Sequence, residues 1–264
     1  MLRQRILTSI VIVPISIIAI WFGNPWFALI MAVIAVLGSL EFYRLASLNK
    51  IEPLSYFGTA IIFLLILCPF CPIPMIKPLL MTLAVVISLI WFLFRSAIKN
   101  AFNNWAWTMA GVLFIGWTLS YWIEIRELEQ GLYWTFWALI IIAVNDICAF
   151  FIGRAIGKHA LAPSISPKKT WEGALGGVIT GTLASVIVGI VFPLHINYWQ
   201  MIILGLLICV LAQFGDLVES VLKRNTDVKD SGKLLPGHGG ILDRLDSFFL
   251  TGPVIFYCIT YIVL

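Results

Sequence analysis

Asp216, Glu219, Ser220 and Lys223 stand at i, i+3, i+4 and i+7, a spacing that sets all four on one face of a helix. Arg224 lies at the edge of the same stripe. Acids at one end and bases at the other can hold a cation and a phosphate side by side. A salt-bridged helix end with a basic anchor would account for Lys223 and Arg224. It accounts poorly for Asp216, which directly follows the apolar stretch 201–214. Downstream, Asp243, Arg244 and Asp246 open another apolar stretch, with the two aspartates at i and i+3 on one face. Acids favour a helix N-terminus for its dipole, but two acids and an arginine there exceed what capping requires.

Between these acidic elements lies Lys229-Asp230-Ser231-Gly232, followed by Pro236-Gly237-His238-Gly239-Gly240. Glycines let a backbone approach a ligand closely and present N–H groups to phosphate oxygens. Ordinary loops also favour Gly and Pro. The conjunction with Lys229, Lys233 and His238 is what points to phosphate. Upstream, Asn145-Asp146 precedes a segment carrying Ser166-Pro167-Lys168-Lys169-Thr170 and Glu172. Ser166 is suited to cap the following helix with Pro167 at its first position. Paired lysines at that end would hold anions through charge and free N–H groups. His159 is expected to be solvent-exposed and His195 to sit in an outer loop, neither with a role. Cys68 and Cys71 form a lone CxxC with no second ligand pair in sight, so no metal or redox role is assigned to them.

These residues are carried by a chain that water cannot dissolve. Hydrophobic residues make up 61% and charged residues 11% of the 264, with mean hydropathy +1.02; a soluble domain carries about a quarter charged residues. Nine apolar segments approach the length that a membrane span needs, near residues 6–22, 26–46, 55–71, 76–94, 105–123, 133–153, 173–193, 199–222 and 245–263. The predicted architecture is an all-α polytopic bundle in one membrane domain over 1–264, with scaffold spans in 1–132 and the chemistry in 133–264. Arg3 and Arg5 precede the first segment and no small-residue cleavage pattern follows it, so it is read as a retained span. Of seventeen basic residues, all but Lys77 and Arg126 fall on one side of this layout, which puts the N-terminus inside and the C-terminus outside. All six aspartates, from Asp146 to Asp246, then lie toward the inner face. Tryptophans and tyrosines near segment ends, among them Trp21, Trp26, Trp91, Trp105, Tyr133, Trp134, Trp137, Tyr198 and Trp199, are expected in interfacial belts.

Ser220-x-x-Lys223-Arg224, Lys229-Asp230-x-Gly232, Pro236-Gly237-His238-Gly239-Gly240 and Asp243-Arg244-x-Asp246, in that order and spacing, resemble the signature of the phosphatidate cytidylyltransferases, or CDP-diglyceride synthases. Gly215-Asp216-Leu217-x-Glu219 and Ser166-Pro167-Lys168-Lys169-Thr170-Trp171-Glu172-Gly173 also look like motifs of that family. Asp227 stands where Gly is more usual. The N-terminal half resembles the family only as a run of spans.

The resemblance implies transfer of CMP from CTP to phosphatidic acid, giving CDP-diacylglycerol and pyrophosphate. It implies Mg²⁺, with room for a second cation, and Asp216, Asp243 and Asp246 as its ligands. Asp146 and Glu219 would orient basic groups. Lys168, Lys169, Ser220, Lys223, Arg224, Lys229, Gly239, Gly240 and Arg244 would bind the phosphates, while His238 would assist or shape the loop. Expected partners are CTP, phosphatidic acid and membrane lipid, with a homodimer left open and no nucleic acid. The expected location is a bacterial inner membrane with the site on its cytoplasmic side. Two other classes fit a polytopic chain with intramembrane acids. A cation-coupled transporter would spread its acids across the membrane, whereas these gather at one face. A CDP-alcohol phosphotransferase would carry acids spaced along a motif beginning Asp-Gly, which is not found here.

Overall fold

A computed structural model describes residues 2–71, 73, 75–95, 100–194, 196–232, 234 and 239–263. Each of the nine apolar segments is helical, because in hydrocarbon only a helix satisfies its own backbone groups. In order they are Leu2–Phe22 (α1), Trp26–Leu48 (α2), Ser55–Leu67 (α3) with a 3₁₀ turn at Cys68–Phe70, and Ile76–Arg95 (α4). Ala101–Gly111 (α5), a π-helical stretch Val112–Trp117 and Thr118–Glu127 (α6) make one rod. Gly131–Ile156 (α7) precedes a hairpin of Ala160–Ala162 (β1) and Ser166–Thr170 (β2). Trp171–Val191 (α8), Tyr198–Asn225 (α9) and Leu242–Cys258 (α10), which ends in a π-helical turn, complete the chain. Among the described residues seven rods are long and apolar enough to cross a membrane; α1 and α3 fall short of that length in their described apolar parts.

The chain divides into two compact units. One comprises Met1–Ile123 with Asn225–Leu245, the other Glu124–Arg224 with Asp246–Leu264. In the first unit α2 is the central helix. Its buried positions, from Phe27 through Ala35 to Ala46, recur at three- and four-residue steps. Lipid is as apolar as leucine, so helices here associate through close packing and hydrogen bonds rather than through exclusion of water. Small residues make that possible. The Tyr43 ring fits between Gly58 of α3 and Gly111 of α5, where a Cβ on Gly111 would come within 2.6 Å of the tyrosine oxygen. Its hydroxyl donates to the Thr108 carbonyl at 2.9 Å.

In the second unit α8 presents Gly173, Gly177, Gly181, Ser185 and Gly189 as one buried stripe at four-residue steps. A Cβ on Gly177 would lie 2.8 Å from both the Ala149 Cβ and the Asn145 carbonyl of α7. The two backbones are therefore nearly in contact. Trp137 donates its indole N–H to the Ser185 carbonyl at 2.9 Å.

Two expectations need correction. Ser166 does not cap α8; it lies in β2, and Thr170 caps the helix by accepting from the Gly173 N–H at 3.2 Å. The Ser-Pro pair resembles a cap signature, yet backbone pairing with β1 claims it for a strand. Trp134 and Trp137 are fully buried core residues rather than belt residues. Trp21, Trp26, Tyr198 and Trp199 are exposed, as a belt requires. Asp227 does follow the backbone that glycine usually supplies, with φ 54° just beyond the end of α9.

Candidate active site

Two clusters of polar groups gather most of the predicted residues, one in each unit. In the second unit Asp216 and Glu219 project from one face of α9, and Asp246 from the first turns of α10. The approach of these helices rests on Gly215. A Cβ there would collide with the main-chain carbonyl of Asp246, so only glycine lets the two acids converge. Ligand oxygens of Asp216, Glu219 and Asp246 lie within 4.8 Å of one another. Glu219 is completely buried and Asp216 is partly open.

Like charges this close in a low-dielectric setting repel strongly unless cations lie between them. Two lysines do part of this. Lys169 Nζ sits 2.5 Å from Asp216 Oδ2, and Lys223 Nζ sits 2.5 Å from Glu219 Oε2. Three carboxylates against two ammonium groups leave a negative charge for a further cation. The donor set is all oxygen with no sulfur or imidazole, which suits Mg²⁺ rather than zinc or copper. The group fits the residues.

Behind the acids runs a hydrogen-bonded chain. The Ser247 N–H donates to Asp246 Oδ1 at 2.8 Å, and the Ser247 hydroxyl donates to Asp146 Oδ2 at 3.2 Å. Asn145 donates to Asp146 Oδ1 at 3.0 Å, and Gln213 donates to Asn145 Oδ1 at 2.9 Å. Asp146 thus steadies Asp246 through Ser247. Partners this ordered hold the Asp246 and Asp146 carboxylates in fixed orientations.

The hairpin separates the paired lysines. Successive strand residues face opposite ways; Lys169 turns to Asp216, while Lys168 is exposed. Glu172, in the first turn of α8, anchors the hairpin by accepting from the Lys158 and His159 N–H groups at 3.1 and 3.3 Å. It also bonds the His159 ring at 2.6 Å. His159 is exposed as expected, though tied to this anchor. Arg224 donates to the Ile165 carbonyl at 3.2 Å, and Ser220 is buried on the helix face that carries Glu219.

In the first unit Asp243 ties Ser231 to Gly240. Its Oδ2 accepts from the Ser231 N–H at 3.0 Å, the Ser231 hydroxyl at 3.0 Å and the Gly240 N–H at 2.8 Å. Gly239 has φ +83°, which favours glycine. Lys229 and Arg244 are exposed. His238 and Lys233 lie outside the described residues, as does His195.

The sequence reading did not single out Ser231, Ser247, Gln213 or Glu41. Glu41 carried a readable signal, as the only acid within the first five apolar segments. The serines and Gln213 carried none, since such residues are common in any helix or loop.

A model of the cytidylyltransferase family matches residues 3–262. The chain belongs to that family. It is 35% identical to the phosphatidate cytidylyltransferase of Bacillus subtilis (strain 168) over 266 residues, which covers 97% of each chain. The phosphatidate cytidylyltransferases of Staphylococcus epidermidis RP62A and Staphylococcus haemolyticus JCSC1435 are 33% and 31% identical, each match covering 96% of this chain and 97% of the relative. Membership therefore extends through the N-terminal spans, where no motif is visible, as well as through the acidic helices.

Proposed function

We propose that the chain is a CTP-dependent phosphatidate cytidylyltransferase, acting as a multi-pass enzyme of phospholipid biosynthesis. It transfers CMP from CTP to phosphatidic acid, releasing pyrophosphate and leaving CDP-diacylglycerol in the membrane. The observation that carries this reading is the Asp216, Glu219 and Asp246 cluster with Lys169 and Lys223 set into it, in a chain that matches its relatives from end to end. A cation-coupled transporter has no support from these relatives.

The reaction asks for charge neutralisation and alignment more than for covalent help from the protein. A phosphate oxygen of phosphatidate attacks the α-phosphorus of CTP in line, one P–O bond forms, and the bond to pyrophosphate breaks. That oxygen is already anionic near neutral pH, so no strong general base is needed. Lys169, Lys223, Arg224 and the exposed Lys168, Lys229 and Arg244 would draw in the phosphates of both substrates. The buried pairing of Glu219 with Lys223 would keep that ammonium aimed at one place. Mg²⁺ held by Asp216, Asp246 and Glu219 would act as Lewis acid toward the phosphate oxygens; Asp243 stays a proposed ligand on the sequence pattern. The Gly239 and Gly240 backbone would shape the phosphate pocket.

The basic residues support an inner-membrane location with this site on the cytoplasmic face, where CTP is available, while phosphatidate reaches it from the leaflet. Membranes carrying the chain, incubated with radiolabelled CTP, phosphatidate and Mg²⁺, should yield a labelled lipid that is lost when phosphatidate is omitted. Absence of that lipid, or cation flux without any need for CTP, would reject the reading.

A further inference from the structure

Glu41 lies on α2, 190 residues from Ser231 in sequence, and is only 4% exposed. A buried carboxylate is costly unless it does something an apolar residue cannot. Its Oε2 accepts from the Ser231 hydroxyl at 3.2 Å and from the Leu242 N–H at 3.2 Å. Its Oε1 is buried and has no hydrogen-bond partner among the described residues. That oxygen instead presses on the loop backbone. A Cβ on Gly232 would run into Oε1, and one on Gly240 would run into both the Ser231 hydroxyl and Oε2. Two glycines of the family-like motif are thus shaped by a side chain from a distant helix.

One turn along, Arg44 donates to the Ser231 carbonyl at 2.8 Å. Every polar group of Ser231 is then engaged. The N–H meets Asp243, the single hydroxyl proton is shared between Asp243 and Glu41, and the carbonyl accepts from Arg44. Leu242 begins α10, so Glu41 also fixes where the helix carrying Asp243 starts.

We propose that Glu41 is a positioning residue for cytidylyl transfer. Through Ser231 and the Leu242 N–H it sets the two flanks of the glycine-rich loop and the orientation of the Asp243 carboxylate, with Arg44 as a second strut. The inference rests on the activity proposed above. Glu41 works as a hydrogen-bond acceptor, not as a charge toward substrate.

The test uses the full chain in membranes, normalised to the amount inserted. The unaltered chain is assayed first; if it makes no labelled lipid, the activity itself fails and not this assignment. Glu41→Ala should then raise the CTP KM and the half-saturating Mg²⁺ concentration by roughly tenfold or more, the usual effect of removing a supporting hydrogen bond behind a metal site. Glu41→Gln keeps one acceptor oxygen for both donors and should restore most of that loss. Ser231→Ala should shift the same two constants, and combining it with Glu41→Ala should add little to the larger single effect. A purely structural role would lower the amount of inserted protein and leave both constants alone, which would overturn the proposal. So would Glu41→Gln behaving like Glu41→Ala. If Glu41→Ala does not accumulate, unchanged constants in Ser231→Ala refute it.

Discussion

Lys168 and Lys169 are neighbours in sequence with different prospects. Strand alternation sends Lys169 to Asp216 at 2.5 Å and leaves Lys168 exposed. Removing Lys169 leaves the Asp216 carboxylate facing two other acids without its counter-charge, so Lys169→Ala should lower kcat by about 10²-fold, the scale for losing one preorganised electrostatic partner. Lys168→Ala should mainly raise the KM for CTP or phosphatidate, since an exposed ammonium attracts an anion without holding the reacting geometry. Steady-state kinetics in lipid–detergent micelles separate the two. Equal effects on kcat would show that the hairpin does not sort them. Asp216→Asn and Asp246→Asn should each abolish turnover while the protein still inserts; retained activity at ordinary Mg²⁺ would remove that residue from the metal set. The acids of α9 were legible from i, i+3 spacing alone. Their pairing with Lys169 was not, because no sequence rule tells which face of a five-residue strand meets an acid 47 positions away.

At the scale of elements, the nine apolar segments were readable because hydrocarbon leaves the backbone no alternative to a helix. The β-hairpin was not, since Ser166-Pro167 carries the same local chemistry as a helix start and only pairing with Ala160–Ala162 turns it into a strand. The buried Trp134 and Trp137 were misplaced for a related reason. A tryptophan near a helix end suits an interface, and only the neighbouring helix, through the Ser185 carbonyl, draws Trp137 inward. Gly215 shows how much one element contact can matter. In a free helix Gly→Ala stabilises by about 1 kcal/mol. Here the added Cβ meets the Asp246 main-chain carbonyl, which cannot rotate away as a side chain could. Overpacking at such a site costs about 1–3 kcal/mol and should outweigh the helical gain. Gly215→Ala should melt earlier in detergent and lose most of its activity, because Asp216 and Asp246 are pushed apart. A variant as stable and active as the unaltered chain would show that this approach is not needed.

For the whole molecule, charge placement along the chain carries the orientation. Fifteen of the seventeen basic residues fall on one side of the span layout. Of the two exceptions, Lys77 has its ammonium 4.6 Å from the Trp117 ring centre and 3.2 Å from that of Tyr121. Aromatic faces hold a cation at the membrane boundary whatever the side, so Lys77 does not argue against the layout. Orientation and chemistry are linked: CTP is cytosolic, so the proposed reaction requires the acid and lysine cluster to open on that side. Single cysteines placed in a chain whose five native cysteines are replaced would test this in intact cells. A cysteine at Lys77 or Glu129 should react with a membrane-impermeant maleimide added outside. One at Lys50, Lys158 or Asp227 should react only after the membrane is breached. Labelling of Asp227→Cys in sealed cells would put the loop after α9 on the outer face, away from the nucleotide, and the proposed chemistry would lose its substrate.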